Sequence, residues 1–362
     1  MTGRNATISK TLVRETLRAL TALGIALVIA FLIVAATSTT PVETFGTLLS
    51  GPLTSKRTIG LWVDDIAKLT VTGLAFSLVF QARQFAMGVQ GQVYIGGLFA
   101  ALVALSPVGS TWAGMPLAVV AAMIGGAMYG FIPGYAKAKL GANEIVSSLM
   151  LNYIAINLVT YLARGPLVAG PGLLSTADFP DGSVFPALIA RTRVDLGLIL
   201  ALVATAATWF ALYRTTWGLK LRLVGHNARF ADYAGIKATF IMVSAMTASG
   251  ALGGLLGAMF VQGQSYGKLT VLFEGNLAFE GILIAIVAKS RPLAVPIVAI
   301  FYGYLRQGAL IMGIRTDVPT EVISVVQAII ILLVASSFSL GGKTWLARLK
   351  SRATAKAGGA KA

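Results

Sequence analysis

Residues 66–107 read IAKLTVTGLAFSLVFQARQFAMGVQGQVYIGGLFAALVALSP. Two apolar runs, 66–82 and 93–107, flank Phe85-Ala86-Met87-Gly88-Val89-Gln90-Gly91-Gln92, which carries two glycines and two glutamines. The runs approach the ~20 residues a helix needs to cross a bilayer. Backbone that leaves helical geometry at membrane depth is tolerated only when it is buried in protein or lines a cavity. The stretch therefore reads as a discontinuous helix whose amides border a path, or as a short loop at the membrane face. The shortness of the second run favours a partly submerged break.

The rest of the chain repeats the pattern. Further apolar runs occupy 19–36, 115–136, 145–163, 195–213, 239–262, 278–290, 292–305 and 319–338, giving about ten spans, several of them short. Of 362 residues, 56% are hydrophobic and 12% charged, about half the charge of a soluble domain. The expected fold is an all-α polytopic membrane protein: a basic segment 1–18, a membrane domain 19–338, and a basic, Ala/Gly-rich tail 339–362 that reads as disordered.

Composition excludes most chemistry. There is no cysteine, so disulfides, thiolate metal sites and cysteine nucleophiles are absent, and the single histidine, His226, precludes a His-rich zinc centre. No phosphate-binding G-x-x-x-x-G-K-[ST] loop occurs, so any ATP-derived energy comes from a partner. The chain is expected to be no enzyme, with no catalytic residue, metal or cofactor of its own. Lys and Arg number 29 against 13 Asp and Glu, but they lie mainly between apolar runs and at the ends, which speaks for membrane topology rather than nucleic acid. With the N-terminus inside, basic residues of the inner pieces outnumber those of the outer pieces about two to one. Both termini are expected in the cytoplasm, with 37–65 and 164–194 outside.

Two halves of the chain echo each other. Tyr129-Gly130 precedes Asn143-Glu144-Ile145-Val146-Ser147 much as Tyr302-Gly303 precedes Thr320-Glu321-Val322-Ile323-Ser324, and Gln90-Gly91 pairs with Glu280-Gly281. The displacement of five spans inverts the second copy. Inverted repeats with Gly-interrupted short helices mark transporter folds with a central path.

Path candidates are Phe85, Gln90 and Gln92 in the first break, and Asn276, Phe279 and Glu280 in its counterpart Phe273-Glu274-Gly275-Asn276-Leu277-Ala278-Phe279-Glu280-Gly281. Phe85, Gln90 and Glu280 are expected to approach one another near the two-fold centre. Glu280 reads as an intramembrane carboxylate facing the path or as a first-turn acid stabilised by the helix dipole, and the two are compatible. It is the only acid expected at mid-depth. Asn143 with Glu144, and Thr320 with Glu321, read as helix starts. Asn152 and Asn157 lie deeper and each reads as a helix–helix bond, with Asn152 also a path candidate.

The basic segment 214–238 is expected on the cytoplasmic side. Asn227 caps about two turns, Ala228 to Ala234, and Gly235 supplies a left-handed stop. A capped helix is more than an orienting basic loop needs, and it points to docking on a protein. Its candidates are Arg222, Gly225, Asn227, Arg229, Phe230, Asp232, Tyr233 and Gly235, within a single coupling helix 222–236.

At these residues the chain resembles a family. Gly218-Leu219-Lys220-Leu221-Arg222-Leu223-Val224-Gly225-His226-Asn227, followed by Ala231-Asp232-Tyr233-Ala234-Gly235-Ile236, is similar to the G-x-x-L-R-x-x-G-x-N…A-x-Y-A-G-I signature of ABC-importer permeases of the simple-sugar and nucleoside branch. Phe85 to Gln92 resembles the family's F-N-I-G-x-E-G-Q. The stretch Asn143-Glu144…Met150-Leu151-Asn152-Tyr153-Ile154-Ala155 resembles N-E-x-x-x-x-x-M-L-N-Y-I-A, commonest among nucleoside-type members. Phe279-Glu280-Gly281-Ile282 resembles G-F-x-G-I. Two departures stand out: the family's Asn and Glu are Ala86 and Gln90 here, and Glu280 replaces a residue that is usually neutral.

The resemblance implies the permease subunit of a bacterial importer in the inner membrane, carrying nucleosides or related purines, with simple sugars as the alternative. It implies a second permease subunit, identical or homologous, two cytoplasmic ATPases that hold ATP and Mg, and an extracytoplasmic binding protein. Alternating access would follow ATPase closure. An ion-coupled secondary transporter is the rival from a different class, and a membrane-embedded enzyme lacks the necessary groups.

Overall fold

A computed structural model of the chain describes residues 21, 24–170, 172–271, 273, 277–319, 322 and 325–329. The segment 1–18, most of the run 319–338, the tail 339–362, and Glu274, Asn276, Thr320 and Glu321 lie outside the described residues. In order, the helices are α1 (Gly24–Thr37), α2 (Pro41–Ser50), α3 (Lys56–Gln81), α4 (Val89–Ala104), α5 (Gly114–Leu140), α6 (Glu144–Arg164), α7 (Gly197–Arg214), α8 (Thr216–His226), α9 (Ala228–Tyr233), α10 (Ala238–Val261), α11 (Leu277–Val287) and α12 (Val295–Arg315). Among the described residues there is no β-strand, only isolated bridges at Ser175–Thr270 and Ala187–Asp195. The protein is all-helical and multi-pass: five helices, α5, α6, α7, α10 and α12, are long and apolar enough to cross a membrane, and α1, α4 and α11 are shorter apolar helices.

Two compact units divide the chain, one Leu49–Gly308 and the other Met1–Leu48 with Ala309–Ala362. In the second unit, Phe31 and Phe45 meet edge to face at 5.4 Å. There Asp317 accepts from Ser38 Oγ at 2.7 Å and from Thr39 N at 2.8 Å. These donors hold its carboxyl down at about 2, the Thr39 amide contributing most.

Small residues set the core of the larger unit. In α5, Gly114, Ala118, Ala122, Gly126, Gly130 and Gly134 recur every fourth position and are buried, so they form one stripe along the helix. That stripe packs on α10, and α4 packs on both. A Cβ added at Gly126 would fall 2.2 Å from Gly250 O, one at Gly254 2.0 Å from Ala122 O, and one at Gly96 2.4 Å from Gly254 Cα. In lipid, helices associate by such close backbone packing rather than by hydrophobic transfer. The opposite face of α5, with Leu117, Val120, Ile124 and Met128, is exposed, as a lipid-facing surface is. Around this core α3 packs against α10, α11 and α7, and α6 against α4.

Three boundaries differ from the sequence reading. The run 66–82 is the second half of a 26-residue helix, because a capping box at Ser55 (Thr58 N to Ser55 Oγ, 3.2 Å) starts α3 at Lys56. The stretch 37–65 is therefore largely helical, and Asp64, Asp65 and Lys68 sit in α3, buried. The run 278–290 yields only the 11 residues of α11, about 16 Å at ~1.5 Å per residue, half a bilayer's thickness. It stops where Lys289 and Ser290 take positive φ, 52° and 54°.

Close packing at Gly254 has a direct consequence. Gly254→Leu forces α10 off both neighbours and is expected to destabilise the purified protein by more than the ~1–3 kcal/mol usual for overpacking. Gly303→Ala, whose nearest atoms would lie 3.5 Å away, is expected to leave the thermal midpoint near that of the parent. Differential scanning fluorimetry in detergent checks both.

Candidate functional site

The break between α3 and α4 is held from one side. The inner stripe of α6 is Ser148, Asn152, Ala155, Val159 and Ala163, and its first two members reach the break. Asn152 Nδ2 donates to Met87 O at 2.7 Å, while its Oδ1 accepts from Gly91 N at 2.8 Å. Ser148 Oγ accepts from Met87 N at 3.0 Å. Residues 84–87 thus leave helical geometry without leaving these amide and carbonyl groups unpaired, as a low-dielectric setting requires. Asn157, by contrast, is exposed and bonds its own helix at Tyr153 O, 2.8 Å, and makes no interhelical bond among the described residues.

The candidates near the break differ in setting. Phe85 stacks on Phe80 with centroids 5.2 Å apart and planes 5° from parallel, leaving 37% of the residue exposed. Gln90 is buried in the first turn of α4. Gln92 is buried between α5 and α10, where a Cβ on Gly253 would lie 2.8 Å from its Oε1 and one on Gly130 3.1 Å from its Nε2. Gln92 Oε1 has no protein hydrogen-bond partner among the described residues.

Phe279 and Glu280 lie half-buried in the first turn of α11. Glu280 faces a partner the sequence reading missed: Arg306 Nε of α12 stands 3.1 Å from its Oε2, and Arg306 Nη1 reaches Asp65 Oδ2 of α3 at 2.7 Å. Gln307 Nε2 also donates to Asp65 Oδ2. Three helices are joined by two carboxylates and one guanidinium, so Glu280 is not the sole acid at this depth. A second buried pair, Lys68 Nζ to Asp64 Oδ2 at 2.7 Å, has Ser265 Oγ 3.2 Å from the same oxygen and the Phe260 ring 4.8 Å from the ammonium. Only the i, i+4 spacing of Asp64 and Lys68 hinted at this pair.

The segment 214–238 holds two helices rather than one. Residues 222–236 are divided at Asn227, which ends α8 and caps α9, its Oδ1 accepting from Phe230 N at 3.1 Å. Arg222 and Gly225 therefore belong to α8. Arg222 lies over the Tyr213 ring at 5.0 Å. In α9, Ala231 is buried while Arg229, Phe230, Asp232 and Tyr233 are exposed. Asp232 Oδ1 accepts from Ala238 N at 3.1 Å, tying α9 to the start of α10. Gly235 takes φ +77°, the left-handed stop expected of it.

Gly225 is a contact, not a turn. A Cβ there would fall 1.9 Å from Gln81 O, so α8 lies directly on the last residue of α3, where the break begins. The α8–α9 unit and the break are thus in backbone contact.

A membrane-buried amide with both halves engaged is costly to remove. Asn152→Leu leaves Gly91 N and Met87 O without partners, about 1–3 kcal/mol each, and is expected to speed hydrogen exchange in a peptide covering 82–92. Ser148→Ala releases Met87 N alone and is expected to give a smaller change. Mass-spectrometric exchange in detergent reads both, and parental rates in Asn152→Leu would contradict the clamp.

The family described as "Branched-chain amino acid transport system / permease component" matches residues 59–335. Guanosine ABC transporter permease protein NupP of Bacillus subtilis is 33% identical, covering 78% of this chain and 82% of its own. Glucose ABC transporter permease protein TsgB13 of Haloferax volcanii is 30% identical over 82% and 81%. Nucleoside ABC transporter permease protein NupB of Lactococcus lactis is 28% identical over 82% and 84%. No solved structure matches.

Proposed function

We infer the function from one premise: this chain belongs to the family of branched-chain amino acid transport permease components, and so is a multi-pass membrane transport subunit rather than an enzyme. We propose that it is the permease of an ATP-driven importer of nucleosides or related purines. NupP and NupB carry nucleoside names and TsgB13 a glucose name, which makes simple sugars the second reading. The observation that carries the mechanism is the contact of Gly225 with Gln81 O. It joins a capped, exposed helix to the non-helical stretch between α3 and α4.

On this reading α9 docks on an ATPase subunit, with Phe230 and Tyr233, 59% and 92% exposed, as anchors. They sit three residues apart and share a face. ATPase closure pushes α8 against the end of α3 and shifts the break, opening and closing the path. Phe85 offers a ring to a nucleobase, and the amides of Gln90 and Gln92 both donate and accept, as base edges do. Gln92 Oε1 is buried and has no hydrogen-bond partner among the described residues, so this acceptor is free to take a bond when the packing of α5 against α10 changes. Asn152 engages both ends of its amide with the break and acts by positioning it. The proposal extends to ten spans in two inverted repeats, with α4 and α11 as corresponding short helices, to a paired permease, two ATPases carrying ATP and Mg, and an extracytoplasmic binding protein. Both termini face the cytoplasm of the cell membrane, the inner one where there are two.

In proteoliposomes holding the full complex, labelled guanosine is expected to enter only with ATP, and unlabelled nucleosides, not glucose, are expected to compete. Competition by glucose alone would favour the sugar reading. Uptake driven by an ion gradient without ATP would overturn the importer. Phe230→Ala is expected to lower uptake roughly tenfold, within the usual span of coupling energies, while the complex still assembles and hydrolyses ATP.

The absence of cysteine makes topology directly testable. Cysteines introduced at the exposed Ala190 and at Ser351 are expected to react with impermeant maleimide from opposite sides of intact cells, Ala190 from outside. Labelling of both from outside would refute the orientation.

A further inference from the structure

Two neighbouring hollows of the larger unit share Trp217 and Phe240 in their linings. The first, about 550 Å³, is lined by Ala127 and Phe131 of α5, Trp217 of α8, and Phe240, Val243, Ser244, Thr247, Ala248 and Ala251 of α10. The second, about 310 Å³, shares Trp217 and Phe240 and adds Lys220, Gly235 and Lys237. The first is almost wholly carbon-lined and the second carries the cations. Lys220 and Lys237 are exposed, and neither forms an ion pair among the described residues.

We propose that this groove binds one anionic phospholipid, with an acyl chain along α10 and its phosphate between Lys220 and Lys237. The dimensions fit one leaflet. From Phe240 to Ala251 the groove follows α10 for about 16 Å at ~1.5 Å per residue, and half of a ~30 Å hydrocarbon core is about 15 Å. The lysines stand at one end only, where α10 begins, which is the depth of a headgroup and not of a tail. Trp217 sits at the junction, the level at which indoles settle in membranes, and its Nε1 donates to Ser244 Oγ at 2.9 Å, fixing the ring as a wall between the two parts. A cationic end on an apolar, leaflet-length groove complements an anionic lipid, and neither a zwitterionic headgroup nor a second permease surface calls for that pairing of features. Because Gly235 and Lys237 belong to the turn between α9 and α10, a bound headgroup bridges α8 to the base of α9 and steadies it. The proposal rests on the membrane setting of these helices and not on the identity of the transported solute.

The test uses the full complex reconstituted in mixtures of phosphatidylcholine and phosphatidylglycerol in which one lipid or the other carries brominated acyl chains. The fluorescence lost relative to a Trp217→Phe complex reports the groove. Quenching is expected to be stronger when bromine is on phosphatidylglycerol, with a preference of roughly fivefold per lysine from about 1 kcal/mol each. It should fall with added salt and vanish in Lys220→Gln/Lys237→Gln. Native mass spectrometry of phosphatidylglycerol retained by the parent and by the lysine double variant gives a second reading that does not depend on Trp217→Phe folding. Equal quenching by both lipids, or equal retention by both proteins, overturns the proposal. So does a Trp217 shielded from both lipids, the sign of a protein partner seated in the groove.

Discussion

A polypeptide that breaks its helix among apolar helices must satisfy the released backbone groups from within the protein. Here that duty falls on the side chain of Asn152, which answers one carbonyl and one amide, Met87 O and Gly91 N, at once. The interruption can then persist as a defined shape rather than a frayed end. It needs α6 at a fixed distance, α4 pressed into α5 and α10 through Gly96, Gly126 and Gly254, and α8 seated on Gln81 O. A break held in this way has a definite resting geometry that a push from outside can change.

The sequence was informative where a short local pattern decides the outcome. The Gly/Gln interruption, the Asn143 and Asn227 caps and the Gly235 stop depend on neighbours within a few residues. The caps and the stop appear as read, with Asn143 Oδ1 accepting from Ile145 N at 2.9 Å and Gly235 at positive φ, whereas the interruption falls at 82–88 and Val89 to Gln92, read as part of it, are helical in α4. What stayed hidden depends on partners far along the chain. Nothing near Glu280 announces Arg306, and nothing near either announces Asp65. The start of α3 was lost for a related reason. Lys56, Arg57, Asp64, Asp65 and Lys68 lower the local hydropathy, yet the Ser55 capping box carries the helix straight through them, and ion pairing lets three of the five sit buried. Gly225 was read within a docking segment, whereas its lack of a side chain is needed for contact with α3.

The charge pattern gains a physical sense once these pairs are seen. A carboxylate in the first turn of α11 would be costly if unpaired. The guanidinium of Arg306 lies between it and Asp65, and truncating one member of such a set is usually more damaging than never having built it. The chain's departures from the family pattern at Gln90 and Glu280 therefore differ in kind. Gln90 removes a charge beside the break, while Glu280 adds one that α12 already answers.

The central claim is that α9 and the break move as one body, linked through Gly225 and Gln81. Spin labels on cysteines at Tyr233 and Arg83, both exposed, measure that link by pulsed electron resonance in the assembled complex. A second pair at Tyr233 and Lys139, the latter exposed at the end of α5, measures motion against the bundle. The account predicts that ATP binding leaves the 233–83 distance unchanged while the 233–139 distance shifts. A 233–83 distance that changes on ATP binding would contradict it, because α9 would then be moving without the break.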